Sequence, residues 1–106
     1  MMPTLEIKNF ALKTGVRFRS EGPYSGEEYR EDILEPEIQK SISSGEKITV
    51  ILDGVFGFAT SFLEEVFGGL VRKYGYDKIK NILIVISRQR PYYKSDIEKY
   101  MLDAKK

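Results

Sequence analysis

The sequence predicts a single α/β domain over residues 1–106, in which a mixed four-stranded sheet is packed with about three helices. Two nearly continuous apolar runs, residues 48–52 and 82–86, have the β-branched content of strands buried on both faces, as in parallel sheets covered by helices. The amphipathic segment between them, residues 62–74, completes a strand–helix–strand unit. A chain of 106 residues is close to the common size of one domain.

Alternating apolar side chains predict two further strands at the start of the chain. The first covers residues 4–12, and the second covers residues 16–19 after a glycine-containing turn. The second strand should bury Val16 and Phe18 and present two arginines on its other face. These arginines either bind a phosphate or pair with an acidic helix.

Two helices complete the predicted order β-β-α-β-α-β-α. An apolar stripe from Tyr29 to Ile42 predicts the first helix, in which Pro36 should cause a kink or start a new helical segment. Glycine at position 45 should end it. The last helix is predicted over residues 92–104, directly after Pro91.

The composition argues against several classes of function. The chain has no cysteine and no histidine, which removes the commonest general base and the commonest metal ligands. We therefore expect no enzyme activity, no cofactor and no metal site. Neither a signal peptide nor a membrane span is visible, because the longest apolar runs are only about five residues. We expect a cytoplasmic protein that does not bind membranes.

Charge is unevenly divided along the chain. The net charge is only +1, so nucleic-acid binding is not expected. Residues 1–71 carry seven basic and twelve acidic residues, a net charge of −5, whereas residues 72–106 carry ten and four, a net charge of +6. The acidic block at residues 27–37 is typical of a solvated helix face. The alternative is docking between oppositely charged surfaces.

Polar residues follow both of the apolar strands in the centre of the chain. Asp53 and Gly57 follow one, and Arg88 and Arg90 follow the other. Ligands and partners bind beyond the carboxyl ends of the strands in sheets of this kind. These residues are candidates for a partner or ligand surface, although short polar turns occupy that edge in any such fold.

Two hydroxyls lie where the central helix should begin. A helix start offers free N–H groups and a partial positive charge, so Thr60 or Ser61 could carry a phosphate there. The alternative is a capping box, in which Ser61 and Glu64 satisfy the first backbone N–H groups. Phe62 and Glu65 are candidates for the partner surface that follows.

A pair of glycines, Gly68 and Gly69, lies within the same helix. Each glycine costs about 1 kcal/mol relative to alanine in a helix, so a specific reason is expected. Close packing is favoured over a flat docking surface.

The segment ILDGVFGFATSFLEEVFGGL resembles the STAS-like family of uncharacterised bacterial domains, which are related to anti-sigma-factor antagonists. The resemblance extends to residues 16–30 and to the strand ending at Ile86. In the antagonists, a kinase-like anti-sigma factor phosphorylates a hydroxyl at the start of the helix after the third strand, and the dephosphorylated form binds that factor. By position Ser61 matches this hydroxyl, and Thr60 precedes it. The chain has Ala59 where the antagonists usually have Asp, and Phe62 where they have Gly.

The resemblance implies a regulatory protein–protein interaction domain in bacterial signalling, with a kinase-like ATPase as partner and phosphorylation of Ser61 or Thr60 as its switch. Two alternatives stay open. The domain is a constitutive adaptor or oligomerisation module, or it binds a small ligand or nucleotide at the carboxyl ends of its strands. The oligomeric state is not predicted.

Overall fold

Residues 3–105 form a three-stranded parallel sheet with four helices. A computed structural model describes residues 3–105. The strands are β1 (Thr4–Glu6), β2 (Ile48–Ile51) and β3 (Leu83–Ile86). The helices are α1 (residues 26–44), α2 (residues 60–74), α3 (Tyr76–Ile82) and α4 (Tyr92–Asp103). The α/β class is therefore confirmed.

The sheet has the order β1-β2-β3, and both pairs of strands are parallel. Leu5 on β1 lies opposite Val50 on β2, which lies opposite Val85 on β3. The prediction of a mixed, four-stranded sheet is wrong for the described residues. The predicted first strand is also shorter than expected, because the chain turns into a 3-10 helix at Ile7–Asn9.

The predicted second strand, residues 16–19, is not a strand. Its backbone instead bonds the start of α1, where Gly26 N–H donates to the Val16 carbonyl over 2.8 Å. Val16 and Phe18 are 36% and 44% exposed, so their expected burial is wrong as well. Arg17, between these two residues, and Arg19, after them, instead reach carboxylates on the helices, as described below.

The core lies on one face of the sheet. Ile48 and Val50 are fully buried there, and Leu52 is 2% exposed. On the other face of β2, Thr49 and Ile51 are only half-buried. The expected burial of the strands on both faces is therefore wrong for β2, because the helices form the core with one face only. Core residues from the helices are Tyr29, Leu34, Ile38, Phe62, Leu63, Val66, Phe67, Leu70, Val71, Ile79, Ile82, Ile97 and Met101.

Helix α1 passes through the proline without a break. Residues Tyr29–Leu34 form a π-helical segment, and Glu35 N–H donates to the Arg30 carbonyl five residues earlier. Pro36 then occupies the second position of a new α-helical segment, Glu35–Ser44. This agrees with one of the two predictions, a new helical segment at the proline. Gly45 ends the helix with φ of 80°, which favours glycine.

Helix α3 is an element that the sequence did not predict. Gly75, with φ of 98°, separates it from α2. Its seven residues lead directly into β3. Helix α4 begins after Pro91, as expected, and ends one residue before the predicted boundary.

Candidate functional site

The turn that follows β2, residues 53–59, is named here the Phe56 turn. Asp53 Oδ1 accepts hydrogen bonds from the backbone N–H groups of Arg88 and Gln89 over 2.8 and 2.9 Å. Gln89 Oε1 in turn accepts from Gly54 N–H over 2.9 Å. Asp53 thus lies at the predicted end of the sheet, where it joins the turns after β2 and β3.

Gly54 allows this turn to form. Its φ of 93° is a conformation that side-chain-bearing residues rarely adopt. A Cβ at this position would also lie 2.8 Å from the Cδ of Lys8. The backbone conformation therefore favours glycine here, and a larger residue would also displace the exposed lysine side chain.

Phe56 is the most exposed large apolar side chain of the described residues, at 72%. Its backbone is held from two sides. The Phe56 N–H donates to the Leu12 carbonyl over 2.8 Å, and Arg90 Nη1 donates to the Phe56 carbonyl over 2.7 Å. The ring therefore projects into solvent from a backbone with fixed partners.

An open groove of about 720 Å³ lies beside this ring. Thr14 Oγ1 donates to the Gly57 carbonyl at 3.2 Å, and Phe58 N–H donates to Tyr93 Oη at 3.2 Å. The groove combines aromatic rings with two cationic side chains. Its lining residues are Lys13, Thr14, Phe56, Gly57, Phe58, Ala59, Arg90, Tyr92 and Tyr93.

Helix α2 begins at the edge of this groove, at Thr60. Thr60 is exposed and Ser61 is half-buried. Ala59 is the residue before the helix, with an extended backbone, and no side chain caps this end. The predicted capping box is therefore wrong, because Ser61 already lies inside the helix and the Glu64 carboxylate bonds arginines instead.

Two of the predicted surface residues do not face a partner. Phe62 is fully buried against the core, and Glu65 is 6% exposed. Phe62 lies between the rings of Tyr29 and Phe58, with centroids 6.3 and 6.0 Å away. The prediction that these two residues lie on a partner surface is wrong, because the helix directs both side chains inward.

The middle of α2 carries a network of ion pairs with α1. Arg30 Nε donates to the Glu65 carbonyl over 3.2 Å, and its Nη2 donates to Glu65 Oε2 over 2.8 Å. Arg30 Nη1 also bonds the carboxylate of Glu35. In a π-helical segment the backbone hydrogen bonds span five residues instead of four. Glu65 lies in such a segment, Glu64–Gly68.

The two glycines of α2 make room for this network. A Cβ at Gly69 would lie 2.6 Å from Arg30 Nε, and one at Gly68 would lie 2.3 Å from Glu64 Oε2. Both glycines are buried. The predicted close packing between elements is therefore confirmed for Gly69, which admits the Arg30 side chain of α1, whereas Gly68 lies against Glu64 and Arg72 of its own helix.

Two carboxylates of the network have lowered pKa values. Burial by itself would raise the pKa of Glu35, but hydrogen bonds from Lys73 at 2.6 Å, from Tyr74 at 3.0 Å and from Arg30 outweigh it. The hydrogen bond from Arg72 at 2.6 Å is the largest cause that lowers the pKa of Glu64. The ion-pair network comprises Arg17, Arg30, Glu35, Glu64, Glu65, Arg72 and Lys73.

The arginines of residues 16–19 pair with acidic residues of the helices. Arg17 Nη1 lies 2.5 Å from Glu64 Oε1. Arg19 pairs at the surface with Glu31 and Asp32 of α1, at 3.2 and 2.6 Å. The predicted pairing with the acidic helix is therefore confirmed for Arg19, whereas Arg17 pairs with carboxylates of α2.

The structure brings most of the predicted site residues to one end of the molecule. Asp53, Gly57 and Arg90 meet around the Phe56 turn, and the turn leads directly to Thr60. Arg88 lies there as well, 3.7 Å from the Asp53 carboxylate. Sequence reasoning missed Phe56, Lys13 and Thr14. The position of Phe56 in a turn between Gly54 and Gly57 could have predicted that its ring is exposed.

Within residues 3–105, no group of three or more acidic side chains is placed to hold a metal ion. None of the helices in the same range combines the length and the hydropathy that a membrane span requires.

Residues 25–92 match the family model of the STAS-like domain of unknown function (DUF4325). The match begins just before α1, contains the Phe56 turn and all of α2 and β3, and ends at the start of α4. No curated protein and no solved structure matches the chain. Because the matched segment is more than half of the chain, this protein belongs to the family of STAS-like domains of unknown function.

Proposed function

We propose that the chain is a regulatory protein–protein interaction domain that docks through the Phe56 turn and the start of α2. The observation that carries this proposal is the 72% exposure of Phe56 on a backbone held by Leu12 and Arg90. Aromatic side chains that enter a partner's pocket supply much of the binding energy of protein interfaces. A backbone that is already held by fixed partners loses little conformational freedom on binding.

The surroundings of the ring fit such an interface. Tyr92 is 56% exposed beside it, and Arg90 and Lys13 provide positive charge at the same groove. Tyrosine and arginine are enriched in interfaces, where the aromatic centre is surrounded by a polar rim. An acidic and apolar patch on the partner would complement this surface. Consistent with the resemblance to anti-sigma-factor antagonists, we propose a kinase-like ATPase as the partner.

We propose that phosphorylation at the start of α2 switches partner binding off. No acceptor for the N–H groups of Thr60 and Ser61 occurs among the described residues. A phosphate on either hydroxyl would add up to two negative charges at the positive end of the helix. Because Thr60 and Ser61 lie beside the Phe56 turn, that charge would repel an acidic partner surface and release it.

Site-specific photocrosslinking tests the docking surface. A photoreactive phenylalanine analogue at position 56, expressed in the native cell, should form a covalent adduct with a kinase-like ATPase. The same analogue at Ile33, an exposed residue of α1 at 38%, is the matched control. Identical adducts from both positions, or none from position 56, would remove the Phe56 turn from this role.

Phosphorylation is tested separately with the chain and the captured ATPase. Mass spectrometry should find a phosphate on Ser61 or Thr60, and the double alanine variant should carry none. If the double variant is modified as fully as the natural chain, neither hydroxyl is the switch. Ser61→Asp should weaken partner binding at least about tenfold, whereas a constitutive adaptor would keep its affinity.

A small anionic ligand is the second candidate, favoured by the groove itself. Its volume of about 720 Å³ is in the usual range of ligand sites, and it combines Tyr92 and Tyr93 with Arg90. ATP or GTP at about 100 times its dissociation constant would stabilise the fold by about 2.7 kcal/mol. A thermal-shift titration with both nucleotides measures this, and an unchanged melting temperature would count against the ligand.

A further inference from the structure

Strand β3 leaves one side of its backbone without a strand partner. Leu52 N–H donates to the Ile86 carbonyl over 2.9 Å, and Ile86 lies opposite Ile51 of β2. In a parallel ladder, alternate residues direct both backbone groups to the same neighbour. Ile84 and Ile86 therefore face β2, and Val85 directs its N–H and carbonyl away from the sheet. Such an edge is a template for another strand.

A groove of about 520 Å³ runs beside this edge and is named here the edge groove. Strand β3 and helices α3 and α4 line it, so it lies at the opposite border of the sheet from β1. Leu102 is 53% exposed at its rim, and Met101 is 7% exposed within it. The lining residues are Tyr76, Lys80, Leu83, Ile84, Val85, Lys94, Ile97, Glu98, Met101 and Leu102.

Positive charge surrounds this apolar floor. Among the described residues, neither Lys80 nor Lys94 has an ion-pair partner within 4.0 Å, and Glu98 is the single acidic residue of the lining. The Nζ atoms of Lys80 and Lys105 lie 5.6 and 5.0 Å from the centre of the Tyr76 ring. Two lysines and one glutamate line the groove, and Lys105 adds a third ammonium group beside Tyr76, so the groove favours an occupant with acidic side chains.

The other edge of the sheet is different. Strand β1 has only three residues, and Glu6 at its end pairs with Lys8 over 3.5 Å. Short edge strands and charged side chains are the usual means of preventing strand addition. Strand β3 has four residues, all of them apolar, so its sequence carries no charge that would prevent pairing.

We propose that the β3 edge accepts a fourth strand from a partner protein, supplied by an extended segment that alternates apolar and acidic side chains. The free backbone groups of Val85 bind an extended chain, as in other cases of strand addition. Side chains of a strand point alternately to opposite faces, so one set packs in the edge groove. The acidic set then points to the opposite face, where the positive charge of Lys80 and Lys94 attracts it over a longer distance without direct ion pairs. This surface is separate from the Phe56 turn and does not depend on the function proposed for that turn.

A synthetic peptide tests whether the edge groove binds an extended segment that alternates apolar and acidic side chains. The probe is a fluorescein-labelled, acetylated peptide of about seven residues that alternates Glu and Val, titrated with the full chain and followed by anisotropy. Saturable binding is expected, and the double variant Lys80→Glu, Lys94→Glu should weaken it at least about tenfold. The matched control Lys78→Glu, Lys99→Glu makes the same charge change on α3 and α4 outside the groove, and it should bind normally. Equal losses in both variants would overturn the proposal.

Two comparison ligands separate strand addition from general attraction of anions. A peptide of the same composition with all Val residues grouped at one end should bind at least about tenfold more weakly. A single-stranded oligonucleotide of equal charge should not compete. Competition by the oligonucleotide, or equal affinity of the grouped peptide, would assign the surface to polyanions and overturn the proposal.

Amide hydrogen exchange reports on the backbone directly. The Val85 N–H should exchange at least about tenfold more slowly when the alternating peptide is bound, because it then donates to the added strand. Unchanged exchange at saturation would contradict the pairing. Sedimentation of the free chain tests the remaining alternative, that a second copy of the chain occupies the edge groove. If copies associate and Leu102→Ser separates them, the occupant is a second copy and the assignment to a partner protein is wrong.

Discussion

The Phe56 turn and the middle of helix α2 are adjacent in sequence but differ in what their side chains contact. In the turn, polar groups bond the backbone and leave an aromatic ring 72% exposed. In the helix, Phe62 is fully buried and the charged side chains pair with one another. The comparison shows that the carboxylates of helix α2 pair within the fold, whereas the turn presents an apolar side chain to solvent.

The largest expected difference lies between two phenylalanines. Phe62→Ala should lower the free energy of unfolding by about 4 kcal/mol, because it empties a fully buried site. Phe56→Ala should change it by less than about 0.5 kcal/mol, because the ring is mostly in solvent. Urea unfolding of both variants measures the contrast. Similar losses would mean that the Phe56 turn is part of the core.

Arg30 should show the next largest effect. Its side chain is 12% exposed and faces the carboxylates of Glu35 and Glu65, which are 5% and 8% exposed. Arg30→Met removes the shortest ion pair of Glu65 and one of the two ion pairs of Glu35, and it should cost about 3 kcal/mol in urea unfolding. Arg19→Met is the control, because Arg19 pairs at the surface and should leave stability almost unchanged. Equal stability of both variants would show that the buried ion pairs do not contribute to the free energy of unfolding.

Substitutions at the two glycines of α2 should have smaller effects on the free energy of unfolding. Gly69→Ala should destabilise the fold by about 1–2 kcal/mol, because its Cβ collides with the bonded Arg30 side chain. Gly68→Ala displaces only the half-buried Glu64 carboxylate and gains about 1 kcal/mol of helix propensity. Thermal unfolding should rank Gly68→Ala above Gly69→Ala. The reverse order would contradict the role of Gly69 in admitting Arg30.

The smallest effect is the dependence of stability on pH. The pKa values of Glu35 and Glu64 are lower in the folded chain than their ordinary values. Their stabilisation is therefore complete above the unfolded pKa of about 4.3 and is lost as the pH falls through the folded values. Glu64→Gln should make the acid loss shallower in urea titrations between neutral pH and pH of about 3. An unchanged slope would contradict the pairing of Glu64.

The parts of the fold that were predicted correctly depend on local patterns. Strands β2 and β3 follow from β-branched runs, and helices α2 and α4 follow from apolar spacing. Helix α3 was missed because its apolar residues Ile79 and Ile82 are continuous in sequence with those of β3. A run of this kind does not show where the helix ends and the strand begins.

The errors at the site have a different cause, which is contact between distant residues. The capping box fitted the local sequence, but Glu64 bonds Arg17, which lies 47 residues earlier in the chain. The Val-Arg-Phe-Arg alternation fitted a strand, but its arginines pair with helices. Phe56 is exposed because Leu12 and Arg90 hold its backbone, and neither is near it in the sequence. Local pattern located the turn, and only the tertiary contacts showed which side chain it presents.

The most direct test of the central claim is the affinity of Phe56→Ser for the partner captured at position 56. Isothermal titration should show binding weaker by at least about tenfold, or 1.4 kcal/mol, with an unchanged urea midpoint. Ile33→Ser, an equally polar change on the exposed face of α1, should bind with the affinity of the natural chain. Equal affinities for the Phe56→Ser and Ile33→Ser proteins would contradict the Phe56 turn as the docking surface.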